Sequence, residues 1–147
     1  MTLKHDMPVL ARHEGAWEGV YIHVDADGRE IDRHACRLEH YFPEDGPYPY
    51  YQINTYRWTD GREEVTRYDA RYADRKIWFE HPRITGYAWE VDPRTVILTW
   101  SYNHAPEQYL YEIIHISDDG MHRTRTWHWY NGGEVFKRTL IKERRVG

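Results

Sequence analysis

Turn dipeptides punctuate the chain at short, regular intervals, and this spacing limits its fold more than any other feature. Asp27-Gly28, Asp45-Gly46, Asp60-Gly61, Asp92-Pro93, Asp119-Gly120 and Gly132-Gly133 are turn or hairpin signals. Between them, β-branched and aromatic residues recur in ten candidate strands, at about 17–25, 30–42, 50–58, 62–72, 76–81, 84–91, 95–103, 108–117, 121–130 and 134–145. Two to seven residues separate successive strands, too few for parallel crossovers, so neighbours must pair as antiparallel hairpins. An open meander of this length would leave two sticky edges, and closure removes both. The pattern therefore predicts an all-β chain, a single antiparallel up-and-down barrel of about 8–10 strands forming one domain over residues 1–147. Residues 7–13, ahead of Gly15, read as a short N-terminal helix. A barrel of this strand number has room for one small ligand.

Composition narrows the function classes. No run approaches the ~20 apolar residues of a membrane helix, and no apolar segment follows a basic N-terminus as in a signal peptide. No membrane partner is expected. A formal charge of −4 lacks the basic footprint of a nucleic-acid binder. The lone Cys36 excludes an internal disulfide framework and a multi-cysteine zinc site, and fits a reducing compartment, here the cytoplasm. An aromatic content of 16% with ten histidines suits a binder of flat or apolar small molecules. Protonating all ten histidines would carry the formal charge from −4 to +6, so the charge is conditional on pH.

Gly15-Ala16-Trp17, after the short helix and at the start of the first strand, resembles the Gly-x-Trp signature of the calycin superfamily, which holds the lipocalins and fatty-acid-binding proteins. Trp17-Glu18-Gly19, Trp89-Glu90-Val91-Asp92 and Arg125-Thr126-Trp127-His128-Trp129 are similar to blocks of a bacterial family of lipocalin-like barrels. The resemblance spans almost the whole chain. It implies that Trp17 closes the barrel floor and that a basic residue of the last strand packs across it. Arg138, Lys142 and Arg144 all lie in that strand. The chain departs from secreted lipocalins in having no disulfide pair, and from fatty-acid-binding proteins in lacking their C-terminal Arg-x-Tyr pair. Ligand identity does not carry over.

Alternation assigns the walls. If Trp17 is internal, Gly19, Tyr21 and His23 follow it. On the second strand His34, Cys36, Leu38, His40 and Phe42 share a face opposite Arg33, Arg37 and Glu39, so that face is internal. The third strand opposes Gln52, Asn54, Tyr56 and Trp58 to Tyr51, Ile53, Thr55 and Arg57, and either set could face in. The ninth opposes Thr124, Thr126 and His128 to Arg123, Arg125, Trp127 and Trp129. The eighth sets Glu112 between Leu110 and Ile114. Hydrogen-bonding groups amid aromatics suit a ligand pocket better than a pure core, since an unpaired buried polar group costs about 1–3 kcal/mol.

These faces give two readings. In the first, the barrel binds an apolar or aromatic small molecule in an internal hydrophobic cavity, using Tyr21, His23, Gln52, Asn54, Tyr56, Trp89, Arg125 and Trp127. In the second, it is a cofactor-free lyase, isomerase or hydratase in which His34, His128 or Glu112 moves a proton. Glu112 and Arg125 lie on adjacent strands and could pair, as a structural ion pair or an anion anchor. His34 and Cys36 could share a metal with His23, but hydrogen-bonded imidazoles are the favoured reading, so neither metal nor cofactor is expected. A haem held by His115, His122 or His128 has no supporting motif. No nucleophile elbow, P-loop, Rossmann fingerprint or His-Glu-x-x-His motif occurs, and a buried strand cysteine is usually inert. Alternation splits Trp127-His128-Trp129-Tyr130 between two faces, and tryptophan on the outer one would offer a homodimer contact.

Overall fold

The computed structural model describes residues 2–147. Ten strands follow two helical turns: β1 (Gly15–Asp25), β2 (Glu30–Tyr41), β3 (Tyr50–Arg57), β4 (Glu63–Ala73), β5 (Lys76–Glu80), β6 (Ile84–Asp92), β7 (Thr95–Tyr102), β8 (Gln108–Ile116), β9 (His122–Asn131) and β10 (Glu134–Arg145). Each pairs antiparallel with its sequence neighbour, and β10 returns to β1, closing the barrel. The expected strands and their up-and-down order are thus present.

The expected short N-terminal helix is present, broken in two. It is two single turns, α1 (Leu3–Asp6) and α2 (Pro8–Ala11), with Met7 at φ −130°, ψ 72° between them. Proline clashes with a helical residue before it, so Pro8 breaks the segment and starts the second turn. Leu3, Met7 and Leu10 are buried in the core, and Leu10 N–H donates to Glu90 Oε2 at 2.7 Å, fixing the helical turns over this end of the barrel.

Two glycines of the first strand are sterically required. Gly15 has φ +111°, and a Cβ there would lie 2.4 Å from the Gly147 carbonyl oxygen. At Gly19 a Cβ would lie 1.9 Å from the Lys142 carbonyl oxygen, where β1 and β10 approach closely. Trp17 between them is fully buried and donates its indole N–H to His13 O at 3.0 Å. The basic residue across Trp17 is none of the three expected. Arg138, Lys142 and Arg144 are exposed, whereas the Arg145 guanidinium lies 4.5 Å from the ring centre and that of Arg123 also lies at 4.5 Å. The reason is parity: Thr139, Ile141 and Glu143 are the buried residues of β10, and Arg145 continues their face.

The interior is divided. The contiguous strands β9, β10, β1, β2 and β3 contribute Arg123, Arg125, Glu143, Tyr21, His40, Gln52 and Asn54, joined by Glu112 of β8, while β5 to β8 otherwise contribute Ile77, Phe79, Ala88, Val96, Leu98 and Leu110. The barrel is half polar and half apolar inside.

Candidate functional site

Four buried charges hold the polar half together. Arg123 and Glu143 face each other across β9 and β10, with Nε to Oε1 at 2.7 Å and Nη2 to Oε2 at 3.3 Å. Arg125, two residues on, donates Nε to the same Oε1 at 2.7 Å and Nη1 to Glu112 Oε2 at 2.7 Å. All four side chains are at most 4% exposed. Two guanidinium groups against two carboxylates leave no net charge, the condition under which buried ions are tolerated. Burial alone would raise the Glu143 carboxyl, but Arg123 and then Arg125 outweigh it and hold it down to about 2.

A hydrogen-bonded line runs from these charges along the wall. Arg123 Nη1 donates to His13 Nδ1 and His40 Nε2, each at 3.0 Å. His40 Nδ1 meets Tyr50 Oη at 2.7 Å, and the Tyr50 hydroxyl donates to Gln52 Oε1 at 2.6 Å. These partners leave His40 neutral with its proton on Nδ1. Gln52 donates to Asn54 Oδ1 at 2.9 Å, Asn54 to Tyr56 Oη at 3.3 Å, and Tyr56 to Tyr21 Oη at 3.1 Å. Arg125 Nη2 closes the line on Tyr21 Oη at 2.5 Å. The sequence left the face of β3 open. Gln52, Asn54 and Tyr56 face in because the line bonds each of them to a neighbour.

Two small cavities flank the Arg125–Glu112 pair, of about 40 and 50 Å³, and share Gln52, Phe79 and Leu98 in their walls. The larger adds Asn54, Tyr56, Tyr68, Trp100 and Trp127. Buried Trp127 Nε1 has no hydrogen-bond acceptor among the described residues. The internal space is therefore smaller and more polar than the expected hydrophobic cavity.

At the end remote from the helical turns, His23 Nε2 and His34 Nε2 are 3.0 Å apart. His34 is stacked on Tyr21 with ring centres 4.7 Å apart and packs on Tyr56 and Trp58. Burial lowers both imidazoles, His23 to about 4 with Lys137 adding to the effect.

Of the sequence-derived residues, Gln52, Asn54, Tyr56, Glu112, Arg125 and Trp127 meet at the cavities. Tyr21, His23 and His34 are internal but border neither cavity. His128 and Trp89 face outward, a correction to both assignments. On β9 the buried positions are Arg123, Arg125, Trp127 and Trp129, which leaves His128 outside; on β6 they are Ile84, Gly86 and Ala88, which leaves Trp89 outside. With Trp127 and Trp129 both internal, the exposed tryptophan pictured as a homodimer contact in that run is absent. His115 and His122 are exposed and His128 faces outward, so none of the three points a nitrogen into the barrel. The expected inert thiol fits Cys36, which burial and then Glu143 push up to about 12.

Sequence reasoning missed His13, Tyr50, Arg123 and Glu143 as parts of one network. The alternation Thr139-x-Ile141-x-Glu143 carried the signal, an acid continuing a buried face.

No protein-family model and no curated protein matches the sequence. Solved structures do match in fold. An S-type phycobiliprotein lyase from Guillardia theta is 14% identical with a TM-score of 0.74, over 100% of this chain and 94% of that one. A DUF3598-family protein of unknown function from Nostoc punctiforme is 18% identical with a TM-score of 0.72, over 93% of this chain. The match covers 49% of the Nostoc protein, so the present chain spans about half its length. Rv2717c from M. tuberculosis is 16% identical with a TM-score of 0.66, over 97% and 98% of the two chains. At these identities the likeness is one of fold, and the fold is a lipocalin-like β-barrel.

Proposed function

We propose that the protein is a calycin-type barrel that binds a flat, largely apolar small molecule carrying one hydrogen-bond acceptor. The observation that carries this reading is the Trp127 indole N–H, buried beside Arg125 with no acceptor among the described residues. A buried donor left unpaired costs about 1–3 kcal/mol, which an acceptor on a ligand would recover. Apolar Phe79, Ile84 and Leu98 line the larger cavity together with Trp127, Trp100 and Tyr68. A ligand pocket usually measures roughly 300–1,000 Å³, against about 50 Å³ here. Binding therefore requires the half-buried Tyr56, Tyr68 and Trp100 to swing aside. We place the protein in the cytoplasm, where a lone cysteine stays reduced.

The catalytic reading has narrower support. Glu112 borders both cavities, while His34 borders neither and His128 lies outside. The test is a titration with 1-anilinonaphthalene-8-sulfonate, an aromatic anion, followed by probe fluorescence and tryptophan quenching. Saturable binding to one site per chain, weakened about tenfold or more by W127F, is expected. W127F removes the N–H and keeps an aromatic ring. Absence of saturable binding, or full affinity in W127F, would refute the reading.

A further inference from the structure

A second group of side chains converges away from the cavities, where β1 and β2 pair near the far end of the barrel. His23 lies opposite Asp32 in register, and His34 is two residues along the same face of β2. One donor atom from each of His23, Asp32 and His34 lies within 4.8 Å of the other two. We propose that these three residues bind a divalent first-row transition-metal ion, zinc being the reference case, through the two Nε2 atoms and a carboxylate oxygen.

The far nitrogens of the rings support this assignment. His34 Nδ1 faces the Ala35 carbonyl at 3.3 Å, and His23 Nδ1 faces Thr139 Oγ1 at 2.8 Å. Metal-ligating histidines usually hold the second ring N–H against an oxygen in this way, which fixes the tautomer and turns the other nitrogen to the metal. Thr139 is itself fixed, being fully buried and accepting from Trp129 Nε1 at 2.9 Å. On the third ligand, Trp58 Nε1 donates to both Asp32 carboxylate oxygens at 3.1 and 3.2 Å. Asp32 hydrogen-bonds to neither imidazole, although it stands beside both.

Distance fits as well. The two Nε2 atoms are 3.0 Å apart. Two metal–nitrogen bonds of ~2.0–2.1 Å span that gap at an angle of roughly 90–95°, as in five- or six-coordinate sites. A tetrahedral ion needs roughly 3.3–3.4 Å, a movement of a few tenths of an ångström. Two imidazoles and a carboxylate suit zinc, copper, nickel or iron over magnesium or calcium. Three protein ligands leave coordination positions open, and because Asp32 is exposed these face water at the barrel end. Lys137 on β10, stacked on Trp129 at 4.1 Å, sets a positive charge near the site that the Asp32 carboxylate opposes.

Titration of the tag-free protein with Co²⁺ tests the site through its visible d–d absorption, with Zn²⁺ as competitor. One ion per chain, displaced by Zn²⁺, is expected. H23Q and D32N should each weaken binding at least about tenfold, with H115Q, an exposed histidine of β8, unchanged. Asp32 is at the surface, so D32N keeps the fold and remains decisive even if H23Q does not; circular dichroism checks both. No saturable Co²⁺ or Zn²⁺ binding, wild-type affinity in D32N, or loss of binding in H115Q would each overturn the proposal.

Discussion

At the scale of single residues, Glu143 is the centre of the interior. One carboxylate accepts from both Arg123 and Arg125, and Glu112 supplies the second negative charge. Replacing Glu143 by Gln would leave two buried guanidinium groups with one carboxylate, a loss expected at about 3–5 kcal/mol. Urea unfolding of E143Q against wild type measures it, and a difference under 1 kcal/mol would mean that the network relaxes into solvent. The pH dependence has a definite sign. The folded carboxyl sits at about 2 against an ordinary 4.5, so the unfolded chain binds the proton more readily. The contribution of Glu143 is fully present above about 4.5 and is lost as pH falls towards 2. The Glu112–Arg125 pair was legible in the sequence because Glu112 interrupts the apolar face of Leu110 and Ile114 and Arg125 lies on the neighbouring strand. Glu143 was not read, since acids and bases alternate at the end of β10 and only Thr139 and Ile141 mark which parity is buried.

At the scale of elements, strand existence was legible and strand orientation was not. Alternation tells which residues share a face, but hydrophobicity must say which face is internal. On β2 it does, because Arg33, Arg37 and Glu39 oppose Cys36 and Leu38. On β3, β8 and β9 the internal face itself carries Gln52, Asn54, Glu112, Arg123 and Arg125, so polarity cannot settle the matter. The β4–β5 turn was missed as a signal for another reason. Its two residues, Asp74 and Arg75, have φ of 55° and 59° without any glycine. This is the left-handed geometry a two-residue hairpin requires. Gly19 marks where element packing is least tolerant. A Cβ there would lie 1.9 Å from the Lys142 carbonyl oxygen, a backbone atom that cannot move without parting β1 from β10. G19A should cost about 3 kcal/mol or more, the upper range for overpacking. Thermal unfolding measures that loss, and a melting temperature equal to wild type would show that the strands part freely at this point.

At the scale of the whole molecule, the buried imidazoles predict that the barrel loses stability to acid well above the carboxylate range. Counted from composition, all ten histidines would gain charge together near pH 6.5. In the fold they do not. His13 and His40 are held well below their ordinary value, first by burial and then by the Arg123 charge. His23 and His34 are lowered mainly by burial, as are His81 and His128 at the surface. The unfolded chain has no such constraint and takes up protons near 6.5. Below that pH the unfolded state binds more protons than the folded state, so stability falls as pH falls. Above 6.5 the advantage of the neutral buried rings is fully present. Each of His13 and His40 contributes a slope of at most about 1.4 kcal/mol per pH unit, the limit for one proton. The unfolding free energy should thus be level above pH ~7 and decline below ~6.5, before Glu143 begins to matter. Denaturant unfolding at a series of pH values traces this curve. Glutamine at position 40 can still accept from Arg123 and donate to Tyr50 but cannot titrate, so H40Q should flatten the decline. A wild-type curve level from pH 7 to 5 would show that protons reach these rings without opening the barrel, and an H40Q curve as steep as wild type would show that His40 takes no part in the decline.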